Sequence, residues 1–267
     1  MSTLREEGWW ILTALEWFKQ FFIGQCGFLA CVFFTLCSSA SAQQNFFNVP
    51  SGTITQKHEI FLQEQVNLGR FGESNFTVDY GLGNDWEVGL NIFKVSLYPG
   101  SLSPQPGDAN EDSLLMNIQR VFHPFEKFDF EIGTQNGISA NNANRRSDFV
   151  DFTWGVSRWT PKESWFSGSF VAGPYYGNKN YLGSGNEFGY LLGVEVPVFD
   201  EKFAIVGDYL SGTNSASVGV IGFQWYLSRE LGWQISLGGQ LPAPGSGNDY
   251  GAVFELTKLP PSLRVLK

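Results

Sequence analysis

From about residue 57 onward, the apolar side chains of this chain return at every second position, in segments of roughly ten residues separated by turn-forming residues. The stretch Asn84-Asp85-Trp86-Glu87-Val88-Gly89-Leu90-Asn91-Ile92 shows the pattern in small. Trp86, Val88, Leu90 and Ile92 share one parity, and Glu87, Gly89 and Asn91 share the other. A period of two belongs to a β-strand, whose successive side chains point to opposite faces. Each strand therefore has one greasy and one polar face. No helix is offered to cover the greasy faces, so the sheet has to pair with another sheet, close on itself, or meet lipid.

Twelve such segments can be counted, at about 57–67, 74–82, 86–97, 113–123, 128–138, 149–159, 165–176, 187–196, 203–211, 216–227, 233–241 and 249–257. The split recurs along the chain. Phe76, Val78, Tyr80 and Leu82 oppose Asn75, Thr77, Asp79 and Gly81; Phe128, Phe130 and Ile132 oppose Asp129, Glu131 and Gly133. Val150, Phe152, Trp154 and Val156 oppose Asp151, Thr153 and Gly155, and are expected to face outward like the others. Glu64 and Arg120 fall on the apolar parity of their strands, and the tenth segment changes phase midway, which predicts a bulge near Val220.

The connections divide into two kinds. Tight ones, such as Gly83-Asn84-Asp85 and Pro124-Phe125-Glu126-Lys127, alternate with mostly longer polar ones at 99–112, 139–148, 177–186 and 242–249. Aromatic residues bracket the tight turns: Trp86; Phe122, Phe125 and Phe128; Trp159 and Trp165; Phe199 and Phe203; Tyr226 and Trp233. Short turns at one rim, long loops at the other and an aromatic girdle are the plan of an outer-membrane barrel. The expected fold is therefore all-β: an antiparallel up-and-down transmembrane β-barrel of about twelve strands. A closed barrel satisfies every backbone group without an edge, as the bilayer requires. A secreted β-sandwich, burying its apolar faces between two sheets, is the non-membrane rival.

Composition agrees. Only 16% of residues are charged, against about 25% in ordinary globular chains. Aromatics make up 16%, with 25 Phe and 9 Trp among them. The net charge of −9 argues against nucleic acid as a partner, since phosphate binding needs a basic face. Cys26, Cys31 and Cys37 all lie in the apolar run FFIGQCGFLACVFFTLC, which is followed by Ala40-Ser41-Ala42. That is the pattern of a signal peptide cleaved after Ala42, although Glu6, Glu7 and Glu16 deprive its start of the usual positive charge. An uncleaved anchor is the alternative. The expected organisation is a signal peptide (1–42), a periplasmic segment (43–56), the barrel (57–258) and a C-terminal tail (259–267).

The polar faces collect carboxylates. Glu59, Asp79, Glu87, Asp129, Glu131, Asp151, Glu187, Glu195, Asp208 and Glu255 are expected to face the lumen, with Lys57 as the cation placed there. Carboxylate rings favour cations in a pore. Twelve strands lie between filled eight-stranded barrels and open porins, so both a pore and a filled barrel are compatible with the count. Asp79, Glu87, Asp129 and Glu131 are the residues expected to tune passage. The longest loop, carrying Pro104 and Pro106, is expected to fold inward and narrow the mouth.

Two stretches, NVPSGTITQKHEIFLQEQVNL (48–68) with FTVDYGLGNDWEVGLNI (76–92), and VGDYLSGTNSASVGVIGFQWYL (206–227), resemble the outer-membrane β-barrel family labelled as transporters of the MetA-pathway of phenol degradation. The resemblance implies an outer-membrane barrel passing small molecules, hydrophobic or aromatic ones among them. The label does not define phenol as the substrate. Tyr250-Gly251-Ala252-Val253-Phe254-Glu255-Leu256 looks like the assembly signal of such barrels, although LTKLPPSLRVLK continues past it.

Enzyme chemistry finds little footing. His58 and His123 are the two histidines, and neither has a second histidine or cysteine at ligand spacing, nor a serine two residues on, as a lipid-cleaving barrel would have. The glycines of GSGNDYG lack the lysine of a phosphate loop. The expectation is a non-enzymatic narrow channel for small solutes, without metal or cofactor. Its partners would be outer-membrane lipids, solutes and the barrel assembly machinery. A filled binding barrel and a lipid-modifying enzyme are the alternatives.

Overall fold

The computed structural model describes residues 45–69, 72–98, 111–141, 146–161, 168–199, 202–228 and 230–263. The signal segment, the loop with Pro104 and Pro106, Arg145 and Trp165 lie outside these residues. Twelve strands form one closed antiparallel barrel in which each strand pairs with its sequence neighbours and the first with the last. They are β1 (Ile60–Leu68), β2 (Gly72–Gly83), β3 (Trp86–Tyr98), β4 (Glu111–Phe125), β5 (Phe128–Asn141), β6 (Arg146–Trp159), β7 (Ser169–Gly177), β8 (Phe188–Val198), β9 (Phe203–Leu210), β10 (Val218–Ser228), β11 (Trp233–Pro242) and β12 (Gly251–Lys258). One helical turn, α1 (Lys179–Leu182), interrupts the connection from β7 to β8. All twelve expected strands are present, with ends moved by a few residues. The largest shift is at β7, which starts at Ser169 rather than near Trp165.

Closure follows from the alternation. In β2, Phe76, Tyr80 and Leu82 stand exposed while Asn75, Asp79 and Gly81 are buried. In β8, Phe188, Tyr190 and Leu192 are exposed while Leu191, Gly193 and Glu195 are buried. Among the described residues, 36 large hydrophobic side chains are exposed. An apolar exterior of that extent does not belong to a water-soluble monomer.

Tight turns set one rim. Asn84 and Asp85 join β2 to β3 with φ of 53° and 62°, the left-handed pair of a type I′ turn that suits the twist of a hairpin. Aromatic rings ladder across the strands along this rim. Phe128 stacks on Trp159 at 6.4 Å, Trp159 on Phe170 at 5.6 Å, and Phe203 on Trp225 at 5.9 Å. Trp225, not the half-buried Tyr226, is the outward member at the fifth turn. Arg120 lies outward at this rim without any bulge, its guanidinium 5.1 Å from the Trp86 ring centre and 4.6 Å from that of Phe122. Glu64 also lies outward and accepts a hydrogen bond from Ser74 across the β1–β2 pair.

Two strands depart from the expected parity. β10 needs no bulge near Val220. Its register runs regularly past that point, with Val218 and Val220 inside and Ile221, Phe223 and Trp225 outside. Val220 is apolar because it packs in the interior near Phe47, not because it meets the exterior. The second departure is β6. Val150, Phe152, Trp154 and Val156 are buried in the interior, and Asp151, Thr153, Gly155 and Ser157 point outward.

The connections also differ from a strict alternation of short and long. β1 and β2 are joined by residues 69–71 and β5 and β6 by 142–145, both brief links on the rim expected to carry long loops. The irregular connections with described structure at that rim are those at 178–187, 211–217 and 243–250.

Candidate functional site

The interior is built from inward-facing polar side chains and from chain segments that enter it at both ends. Residues 45–56 do not stand off the barrel as a periplasmic segment. They lie inside it, with Phe46, Phe47 and Val49 fully or nearly fully buried. Where this segment passes, the wall carries glycine. A Cβ on Gly193 of β8 would stand 2.2 Å from the Phe46 ring, and one on Gly81 of β2 would stand 2.0 Å from the Gln56 carbonyl oxygen. A segment lying in a barrel leaves backbone N–H groups that no strand can pair. Here carboxylates take them. Asp208 accepts from the amides of Asn48 and Val49, the latter at 3.1 Å, and Glu87 accepts from the Thr55 amide at 2.5 Å. Gly52, at φ 77°, brings the segment against the Arg158 side chain.

Six expected carboxylates are buried inside the barrel: Asp79, Glu87, Glu131, Glu195, Asp208 and Glu255. Several are held by neutral donors on nearby strands. Gln119 Nε2 donates to Glu87 at 2.5 Å, Asn117 Nδ2 to Asp79 at 2.8 Å, and Trp154 Nε1 to Glu131 at 2.6 Å. Thr77 donates to Asn91 at 2.6 Å, and Asn91 to Asn117 at 3.3 Å, extending one polar net over β2, β3 and β4. Of the four others, three lie at the ends of the barrel and one outside it. Glu59 sits at the turn rim and accepts from the Ser262 amide at 3.1 Å, tying the turn at Pro261–Leu263 to the barrel's start. Asp129 lies at the same rim and accepts from His123 Nδ1 at 2.6 Å. Glu187 is at the opposite mouth, 4.0 Å from Lys179 Nζ. Asp151 points out of the barrel because β6 takes the other parity.

The inner cations differ from the expected one. Lys57 is exposed at the rim. Arg158, on the inward parity of β6, is the buried guanidinium, facing Glu195, Asp129 and Glu131. Lys94 is a second inner cation. A bulge of β3, with Lys94 at φ 60° and its amide donating to Asn75 at 2.7 Å, turns it into the lumen. Arg158 shares the parity of Trp154, so reading that parity as outward hid it.

The loop-side half is aromatic. α1 folds inward, capped by Asn178, whose side chain accepts from the Tyr181 amide. Tyr181 stacks on Phe93 at 5.5 Å and on Phe152 at 5.0 Å; Phe152 also meets Tyr175 at 5.3 Å. Gln135 Nε2 donates to the Tyr181 hydroxyl at 2.5 Å, and Lys94 Nζ donates to the Tyr181 carbonyl at 3.3 Å. Beside it the 211–217 connection is knotted to the wall: Tyr175 donates to the Ser211 carbonyl at 2.5 Å and Asn214 Nδ2 donates to the Tyr175 hydroxyl at 2.9 Å. The lumen is thus occupied by the N-terminal segment from the turn side and by α1 from the loop side. The loop expected to fold inward, with Pro104 and Pro106, lies outside the described residues; the connection found inside the barrel is 178–187, which by sequence alone reads as a polar loop.

These features define a class: a closed twelve-stranded antiparallel barrel with an apolar exterior, of the kind that fits an outer membrane, and with an acidic, internally filled lumen. Comparison with models of protein families finds no match, and comparison with curated proteins finds no significant relative.

Proposed function

We propose that this chain is an outer-membrane barrel that passes small solutes through an acidic lumen and is held closed by its own N-terminal segment. The exposed apolar belt and the aromatic rim support the membrane setting. One observation carries the closed-channel reading. The filling segment is not a wall strand, and among its described contacts it is held by amide donations to Asp208 and Glu87 and by the packing of Phe46, Phe47 and Val49. When the segment leaves, those carboxylates line the vacated space, and the passage is cation-preferring. On the loop side the rings of Phe93, Phe152, Tyr175 and Tyr181 offer flat apolar surface to hydrophobic or aromatic solutes. The family resemblance of residues 48–68, 76–92 and 206–227 implies the same solute class.

The extent of interior burial favours a second reading, a barrel that remains filled and acts through its loops. Planar-bilayer conductance separates the two. The intact chain is expected to show rare or no openings. A chain lacking 45–55 is expected to show discrete steps, with a cation-selective reversal potential under a salt gradient. An inserted deletion variant without steps overturns the channel.

A further inference from the structure

The outward parity of β6 leaves a polar island on a face that is apolar elsewhere. Asp151 and Thr153 of β6 stand opposite Asn136 and Thr134 of β5, all four directed out of the barrel. They bond among themselves: Thr134 and Thr153 hydroxyls lie 2.8 Å apart, Thr153 donates to Asp151 Oδ1 at 3.3 Å, and Asn136 Nδ2 donates to Thr134 at 2.9 Å. Apolar side chains ring the island. Ile138 and Phe149 lie above it, Ile132 below, Met116 and Tyr176 at its sides, each exposed.

Depth decides what can meet it. Asp151 is eight residues above Trp159 in the aromatic rim, which at strand rise and barrel tilt is about 20 Å, inside an apolar band about 25 Å tall. It lies towards the loop-side edge of that band, where the Asn178 amide donates to the Asp151 carbonyl at 3.0 Å and a carboxylate costs less than at the midplane. A protein face that brings its own polar groups to this level satisfies the island. Below the island the outward face is flat: Gly155 and Ser157 on β6 run beside Ala172 and Pro174 on β7, where bulky side chains stand on most other strands. Small residues let two membrane surfaces approach closely.

We infer that this face binds a second copy of the chain about a two-fold axis. The island presents its own complement. It carries a donor in the Asn136 amide and an acceptor in the Asp151 carboxylate, so rotation by half a turn sets each Asn136 against the partner's Asp151. This interface rests on the membrane reading above but not on the channel.

The test uses the full chain in phosphatidylcholine vesicles and in density-matched detergent. Sedimentation equilibrium is expected to show a dimer, and Gly155→Cys is expected to cross-link with a short bis-maleimide in vesicles. The Gly155 position accepts a side chain, its nearest neighbour to an added Cβ being 3.7 Å away; the native chain controls for other cysteines. Asn136→Leu/Asp151→Leu removes the amide and the carboxylate from the face, is checked for folding by heat-modifiable gel mobility, and is expected to weaken dimerisation by about tenfold or more. If that double variant does not fold, Asn136→Leu alone serves, with a weakening of about threefold. A native chain that inserts as a monomer, or a dimer indifferent to these changes, overturns the interface. A chain that does not insert overturns the membrane reading and the interface with it.

Discussion

Gly193→Val attacks the filling segment without touching a hydrogen bond of the wall. Gly193 faces inward on β8, and an added Cβ would lie 2.2 Å and 2.3 Å from two carbons of the fully buried Phe46 ring. Valine suits a strand, so the wall itself accepts it. The clash must be relieved by wall distortion or by withdrawal of Phe46, and overpacking of this kind costs about 1–3 kcal/mol. If the closed state bears that cost and the open state does not, the ratio of open to closed molecules rises by about 5- to 150-fold. The assay is open probability in planar bilayers, with heat-modifiable gel mobility as the check on folding. Phe46→Ala provides the control. It removes the ring that the introduced valine would strike, and it also loosens the segment by the lost burial. The two changes should then be non-additive, the double variant opening no more than Phe46→Ala alone. A folded, inserted Gly193→Val protein with native open probability would rule out the N-terminal segment as the plug, as would strict additivity with Phe46→Ala.

Arg158→Met should lower stability by about 1–3 kcal/mol, because it removes the buried positive charge near Glu195 and Glu131; a urea midpoint in detergent micelles reads this, and adding Glu195→Gln should return part of the loss. Asn84→Val forces a β-branched residue into the left-handed φ of 53° and should cost about 1–2 kcal/mol, whereas Asp85→Gly should be neutral or slightly stabilising in the same measurement.

The barrel was legible in the sequence because its signal is repeated twelve times and each copy needs only parity. An error in one strand leaves the count, the hairpins and the closure intact. The interior was legible only where polar residues marked it, as at Asp79, Glu87, Glu131, Glu195, Asp208 and Glu255. What the pattern could not show was anything apolar that goes inside. Phe46, Phe47 and Val49 precede the first strand and have no periodicity to betray a buried role. Tyr181 and Leu182 sit in a loop whose neighbours, Asn178, Asn180 and Gly183, read as solvent. The marks of the filling lay instead in glycine: Gly81, Gly193 and Gly238 stand at inward positions where a side chain would meet residues 45–56. A glycine on a lumen parity can therefore signal something lying against the wall.

The inversion of β6 has a cause that a rule of greasy-out, polar-in overlooks. In water an apolar side chain gains by leaving the solvent, and the gain fixes which face is buried. In a bilayer both sides of the wall can be apolar, and lipid tails are as apolar as leucine, so burial no longer chooses. Packing and polar partners choose instead. With Val150, Phe152, Trp154 and Val156 outward, Arg158 would leave the interior carboxylates, Glu131 would lose the Trp154 N–H, and Tyr181 would lose the ring of Phe152. The orientation found keeps all three and moves the cost outside, to Asp151, which shares that outer face with Thr153, Thr134 and Asn136. Filling the lumen and creating the polar island are thus one choice of parity. A second copy meeting that island would offset on the exterior what the strand's orientation secures within.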